Sequence, residues 1–102
     1  MEEVAFNIIL HAGDARSHAL EALRYAREQK FTEAAASMAE AKAELIAAHH
    51  IQTNLLQSEA DGKKQDISLL LVHAQDHLMT AILAKDLIEE MILMLEAQHA
   101  KK

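Results

Sequence analysis

The residues best able to do chemistry lie in one string, Leu71-Val72-His73-Ala74-Gln75-Asp76-His77-Leu78-Met79-Thr80. His73 and His77 stand at i and i+4 with Asp76 at i+3, so on a helix the three side chains share a single turn. Imidazole is a competent nucleophile near neutral pH, and a neighbouring hydrogen-bond partner sets which ring nitrogen attacks and stabilises the charged adduct. A phosphohistidine is therefore accessible chemistry here. The same groups would serve equally well in a structural polar layer, and spacing alone does not separate the two. The His-x-x-x-His pair also has zinc-ligand spacing, but it lacks the general-base glutamate of the zincin motif, which argues against metal-dependent hydrolysis.

Asp76 poses a separate problem. An ionised carboxylate surrounded by apolar side chains costs several kcal/mol unless it is paired, hydrogen-bonded, bound to a cation or protonated. If copies of the chain meet along this helix, several Asp76 carboxylates converge, and their mutual repulsion demands protonation or a cation. A hard ion such as Mg²⁺, held by carboxylate oxygens and water, is one solution.

The elements that position these residues are helices. Hydrophobic residues make up 51 % of the chain but aromatics only 3 %, so the apolar content is nearly all Ala, Leu, Ile, Val and Met, a helix-forming set. Proline is absent and glycine occurs only at Gly13 and Gly62. The 102 residues form one domain, and a chain this short has a thin core of its own. Three periodic segments are expected, about residues 3–28, 32–57 and 66–99, in an antiparallel all-α three-helix bundle. The first carries Ala5, Ile8, Ala12, Ala15, Ala19, Ala22 and Ala26 at three- and four-residue spacing, a seam that allows close helix approach. In the second, Thr32 is the expected N-cap and Ala35, Met38, Ala41, Leu45, Ala48 and Leu55 the apolar line, ending near Gln57. Residues 58–65 are polar, contain Gly62 and read as the mobile loop, and Asp66 is the expected cap of the third segment.

That third segment has more apolar surface than a three-helix bundle can bury. Leu69, His73, Asp76, Thr80, Leu83, Leu87 and Met94 form one heptad-like seam. Leu70, Ala74, His77, Ala81, Ala84, Ile88 and Leu95 form a second, and Leu71, Leu78 and Ile82 a third. The excess predicts self-association through this helix, with cyclic symmetry as the default.

Composition excludes other classes. Without cysteine the chain has no disulfide, thiolate metal site or thiol nucleophile. A formal charge of -6 argues against a nucleic-acid partner, which needs clustered Lys and Arg. No apolar run approaches a membrane span and the start Met1-Glu2-Glu3 is not that of a signal peptide, so a cytoplasmic protein is expected. The other histidines, His11, His18, His49, His50 and His99, read as surface or packing residues. Asp14 and Arg16 read as packing rather than function, with Gly13 balanced between the two. Glu96 and His99 form a lone Glu-x-x-His element on an expected fraying tail, short of the two that a di-iron bundle requires. The five methionines read as gap-filling core residues.

With these residues in view, the chain resembles the lactose and chitobiose/cellobiose group of enzyme IIA proteins of the phosphoenolpyruvate-dependent sugar phosphotransferase system. The likeness rests on Ala12-Gly13-Asp14-Ala15-Arg16-Ser17, on Ala48-His49 with Gln52-Thr53, and above all on Val72 through Thr80. It implies a homotrimer of three-helix subunits. In such a protein His73 accepts a phosphoryl group from the carrier HPr and passes it to a cysteine of the cognate enzyme IIB, on behalf of the membrane enzyme IIC. It further implies that Asp76 sits at the trimer axis, where it can bind a divalent metal, with His77 in a supporting role. Gln75 is a further candidate for hydrogen bonding within the site. Phosphoryl transfer between two histidines rests on in-line geometry and charge stabilisation, so His73 must be reachable, in a shallow cleft rimmed by apolar side chains. The rival reading is a trimeric helical-bundle adaptor in which the Asp76 layer only fixes oligomer state.

Overall fold

Alanine decides how closely the helices approach. In a computed structural model that describes residues 2–64 and 67–101, three helices follow one another, α1 (Glu2–Arg27), α2 (Phe31–Ala60) and α3 (Leu69–Ala100), with no strand among the described residues. The seam expected of the first segment is its buried face: Ala5, Ile8, Ala12, Ala15, Ala19, Ala22 and Ala26 are all buried. Small side chains at these positions let α1 serve as the spine against which both other helices lie, whereas α2 and α3 touch each other much less.

The core has two ends. At one, Ala5, Ile8, Ala12 and Ala15 meet Leu45 and Ala48 of α2 and Leu71, Ala74, Leu78 and Ala81 of α3. At the other, Ala19, Ala22 and Ala26 meet Ala34, Met38 and Ala41 of α2 with Ile88 and Ile92 of α3. The start of α1 thus packs beside the start of α3 and the end of α2, which makes successive helices antiparallel. The resulting rod measures 58 × 20 × 18 Å. Where α2 and α3 diverge, charge bridges them: Lys42 Nζ lies 2.8 Å from Glu89, which also receives Lys85 Nζ at 3.1 Å. The hydrogen bond from Lys42 is the main reason the Glu89 carboxyl is held below its ordinary range, with Lys85 adding to it against partial burial.

Several boundaries differ from the sequence expectation. Thr32 is not an N-cap: α2 begins at Phe31, and Lys30 occupies the cap position without a side-chain cap bond. Ala35 is exposed, and Ala34 and Ser37 join the buried line in its place. Ser37 is tolerated there because its hydroxyl donates to Glu21 Oε1 at 2.8 Å. α2 runs a turn past Gln57 because its end is set by Gly62, whose φ of 89° supplies the left-handed residue after the helix. The Gly62 amide donates to the Glu59 carbonyl and the Lys63 amide to the Ser58 carbonyl, at 3.0 and 3.1 Å, which closes a Schellman motif and draws Ser58, Glu59 and Ala60 into the helix.

The same motif ends α1 with no glycine. Gln29 takes φ 64°, its amide donates to Ala26 and the Lys30 amide to Tyr25. α3 starts at Leu69, capped by Ser68, so the expected start near Asp66 is displaced; Asp66 itself lies outside the described residues. The helix continues to Ala100 without fraying at Glu96, and the His99 ring packs 5.4 Å from Phe31. Of the methionines, Met38 is core, whereas Met79, Met91 and Met94 are exposed and do not fill gaps within this chain.

Candidate functional site

The candidate site occupies the first half of α3, beginning a turn beyond its cap. Ser68 Oγ accepts from the Leu71 amide at 3.1 Å, satisfying one of the orphan donors of the first turn and fixing the helix start one turn before His73. From there the helical repeat of about 100° per residue sorts the side chains. Ala74, Leu78 and Ala81 point into the bundle and are fully buried. On the opposite side every member of the first seam, Leu69, His73, Asp76, Thr80, Leu83, Leu87 and Met94, is exposed. Taking Asp76 as origin, Leu69, Leu83, Leu87 and Met94 fall within about 20° of it, His73 about 60° to one side, and His77 about 40° further round, towards α1. His73 therefore stands on the shoulder between an uncovered apolar stripe and the groove shared with α1.

The structure brings His73 and His77 together. Their rings stack with centroids 6.1 Å apart and planes 8° from parallel. His73 is exposed and His77 half-buried, so the first ring is reachable from solvent and the second backs it. Burial, more than any other influence, lowers the His77 pKa; the charges of Arg16 and His73 lower it further, and Asp76 partly opposes them. His77 is thus biased towards the neutral imidazole, which can donate from one nitrogen and accept at the other.

Gly13 lies where α1 passes this ring. A Cβ at residue 13 would sit 3.6 Å from His77 Nε2, in ordinary van der Waals contact, so the position is close but not sterically closed to alanine. Gln75 points neither to the histidines nor freely outward: its Oε1 accepts from Gln52 Nε2, which ties α2 to the site turn. The Asp76 carboxylate accepts no hydrogen bond and forms no ion pair among the described residues, and the Thr80 hydroxyl turns back on the Asp76 and His77 carbonyls at 3.1 and 3.0 Å. Among the described residues Asp76 belongs to no group of three or more candidate metal ligands. Its oxygen donors and its place on the stripe suit a hard cation only where copies of the chain meet.

Two neighbours of the site differ from the sequence expectation. Arg16 is exposed rather than packed and near enough to act on His77; the available signal is its i+3 spacing from Gly13. Gln52 enters the sequence reading only through the family resemblance, with no role of its own, because nothing in a sequence reports that two amides on different helices meet. Elsewhere, His11 Nδ1 lies 2.6 Å from Glu44 and His18 Nδ1 3.0 Å from Glu40, surface pairings as expected. The grouping His18, Glu21 and Glu40, with ligand atoms within 4.8 Å of one another, is contributed by α1 and α2 alone and is explained by that pairing. No helix is long and apolar enough to cross a membrane.

Comparison with known proteins agrees over nearly the whole chain. Residues 3–96 match the family described as PTS system, lactose/cellobiose specific IIA subunit. The lichenan-specific phosphotransferase enzyme IIA component of Bacillus subtilis (strain 168) is 48% identical over 96 residues, 94% of this chain and 87% of that protein. The crystal structure of the cellobiose-specific enzyme IIA of Bacillus anthracis superposes with a TM-score of 0.94 at 49% identity, covering 98% of this chain and 92% of the other. The chitobiose IIA–HPr complex of the Escherichia coli phosphotransferase system gives a TM-score of 0.83 at 43% identity, covering 96% and 95%.

Proposed function

Since this chain belongs to the lactose/cellobiose-specific IIA family of the phosphotransferase system, we propose that it is a phosphocarrier whose phosphorylated residue is His73. The observation that carries the reading is the stacked pair: an exposed His73 imidazole backed by a half-buried His77 biased towards neutrality. A neutral His73 nitrogen attacks phosphorus on the phosphohistidine of HPr. The new N–P bond forms as the donor N–P bond breaks, the leaving imidazole keeps that electron pair, and the proton on the far nitrogen of His73 need not move. The second transfer repeats the exchange onto a cysteine thiolate of the cognate enzyme IIB, a sulfur that this chain lacks. Little covalent assistance is needed, so positioning and charge govern the rate.

HPr as donor is supported by the likeness to the chitobiose IIA solved with HPr. The sugars named for relatives, lichenan, N,N'-diacetylchitobiose and cellobiose, support a role in the uptake of a disaccharide or oligosaccharide through a membrane enzyme IIC, with this carrier acting in the cytoplasm. Val72, exposed and next to His73 in the chain, offers a protein partner an apolar contact.

The uncovered stripe of α3 supports a homotrimer. Leu69, Leu83, Leu87 and Met94, each more than half exposed in the single chain, are the side chains such an assembly would bury. Asp76 would then converge on the axis, where three carboxylates and water suit Mg²⁺, which would neutralise them. His77 supports the His73 ring, and Gln75, held by Gln52, steadies the turn between them.

The test is incubation with phosphoenolpyruvate, enzyme I and HPr, followed by intact mass measurement. An added phosphate stable in alkali and lost in acid is expected, and absent from His73→Gln at unchanged helicity. A label that persists in that variant moves the site, with His77 the next candidate. No label on the native chain leaves the adaptor reading standing.

A further inference from the structure

Arg16 is the unspent charge of this site. It lies on α1 one turn beyond Gly13, and residues three apart share a helix face. That face meets the site, because a Cβ at Gly13 would touch His77 Nε2 at 3.6 Å, and His77 is stacked on His73. Helical side chains lean towards the N-terminus, so the long Arg16 side chain leans back along α1 towards Gly13 and the histidine pair. Among the described residues the guanidinium forms no ion pair. An always-charged, exposed arginine on the face of α1 that meets the histidine pair gains nothing while the rings are neutral. Once a phosphoryl group arrives, adding a charge of about -1.5 to -2 near neutral pH, the same guanidinium has a partner that its planar fork fits.

We propose that Arg16 binds the phosphoryl group carried on His73, pairing with its oxygens in the phosphorylated state only and so raising the equilibrium share of phosphorylated carrier. The inference rests on the reading of His73 as the phosphorylated residue. An interaction present in one state and absent from the other shifts the equilibrium by its full worth, and a charge-assisted contact at an exposed site is expected to shift it about three- to tenfold.

The experiment is a competition. Native chain and Arg16→Gln share one limiting pool of phospho-HPr until the distribution is constant, and intact mass resolves the two proteins and their phosphorylated forms. The expected ratio of phosphorylated to free Arg16→Gln is about three- to tenfold below that of the native chain in the same tube. Arg16→Lys keeps the charge but loses the fork and should recover part of the deficit, which a merely structural role for residue 16 would not produce. Because the readout is an equilibrium, a slower approach caused by weaker docking leaves it unchanged. Equal ratios for native and Arg16→Gln, or an Arg16→Lys no better than Arg16→Gln, would overturn the proposal. His73→Gln in parallel keeps the premise separate: loss of label there with equal ratios at residue 16 sinks the role of Arg16 alone, whereas label persisting in His73→Gln sinks the reading beneath it.

Discussion

Replacing Gly13 tests the α1–α3 approach on which the site is built. A methyl at residue 13 would lie 3.6 Å from His77 Nε2, an ordinary contact that nothing must move to accommodate. Glycine in a helix interior is about 0.8–1.0 kcal/mol less favourable than alanine, chiefly because the unfolded chain has more freedom to lose. With no clash to offset that gain, Gly13→Ala is expected to stabilise the fold by about 0.5–1 kcal/mol, a rise in Tm of roughly 2–8 °C for a chain of this size. Gly13→Leu should go the other way. Its extra carbons have only the His77 ring to push against, and overpacking of this kind costs about 1–3 kcal/mol. Paired urea and thermal unfolding of the two variants followed by circular dichroism, at fixed protein concentration, reads both signs. A destabilised Gly13→Ala would refute the reasoning, since it would mean that the helices approach more closely than 3.6 Å allows or that water at this position is needed by His77.

Other consequences are equally direct. Gln29 holds a left-handed φ of 64° at the end of α1, so Gln29→Gly should stabilise by about 0.5–1 kcal/mol in urea unfolding, and a loss would show that the Gln29 side chain contributes more than its backbone costs. Glu89 has a folded pKa depressed below its ordinary 4.5, so the stability it contributes is present above that value and lost as pH falls through the lower folded pKa. Native minus Glu89→Gln stability should therefore shrink between about pH 5 and pH 3, by no more than about 1 kcal/mol for so accessible a pair; a difference flat with pH would contradict the assignment. On the proposed Mg²⁺-binding trimer, Asp76→Leu replaces the carboxylate of the stripe with an apolar group, and an assembly of equal or greater stability is expected, with Mg²⁺ raising the Tm of the native chain but not that of the variant. Dissociation to monomers on analytical ultracentrifugation would show that Asp76 holds the assembly together.

Much of this was legible from residue order. Three-and-four spacing of alanine named the buried face of α1 position by position, because a periodicity that strong leaves only one face to bury. The His73, Asp76, His77 turn was equally plain, since neighbours on one helix are fixed by its repeat. The seam of α3 with Asp76 at its centre was identified as surplus apolar surface, and the fold leaves it exposed. Helix ends were read less well. The polar tract 58–65 reads as loop because it lacks apolar residues, whereas Gly62 at the position after the helix end, a backbone preference, sets the true terminus. Lys30 holds the start of α2 and Gln29 the end of α1 with no side-chain signature to give them away.

What only the tertiary structure decided is everything that crosses between helices. Contacts within α3 follow from a local repeat that the backbone imposes wherever the helix forms. The meeting of Gly13 with His77, the tie from Gln52 to Gln75 and the approach of Arg16 depend on how α1 and α2 are rotated and slid against α3. That rotation and register come from the collective fit of many alanine-sized surfaces, no one of which is specific. A sequence can therefore name a candidate nucleophile, but the groups that bias and surround it emerge only once the helices have packed.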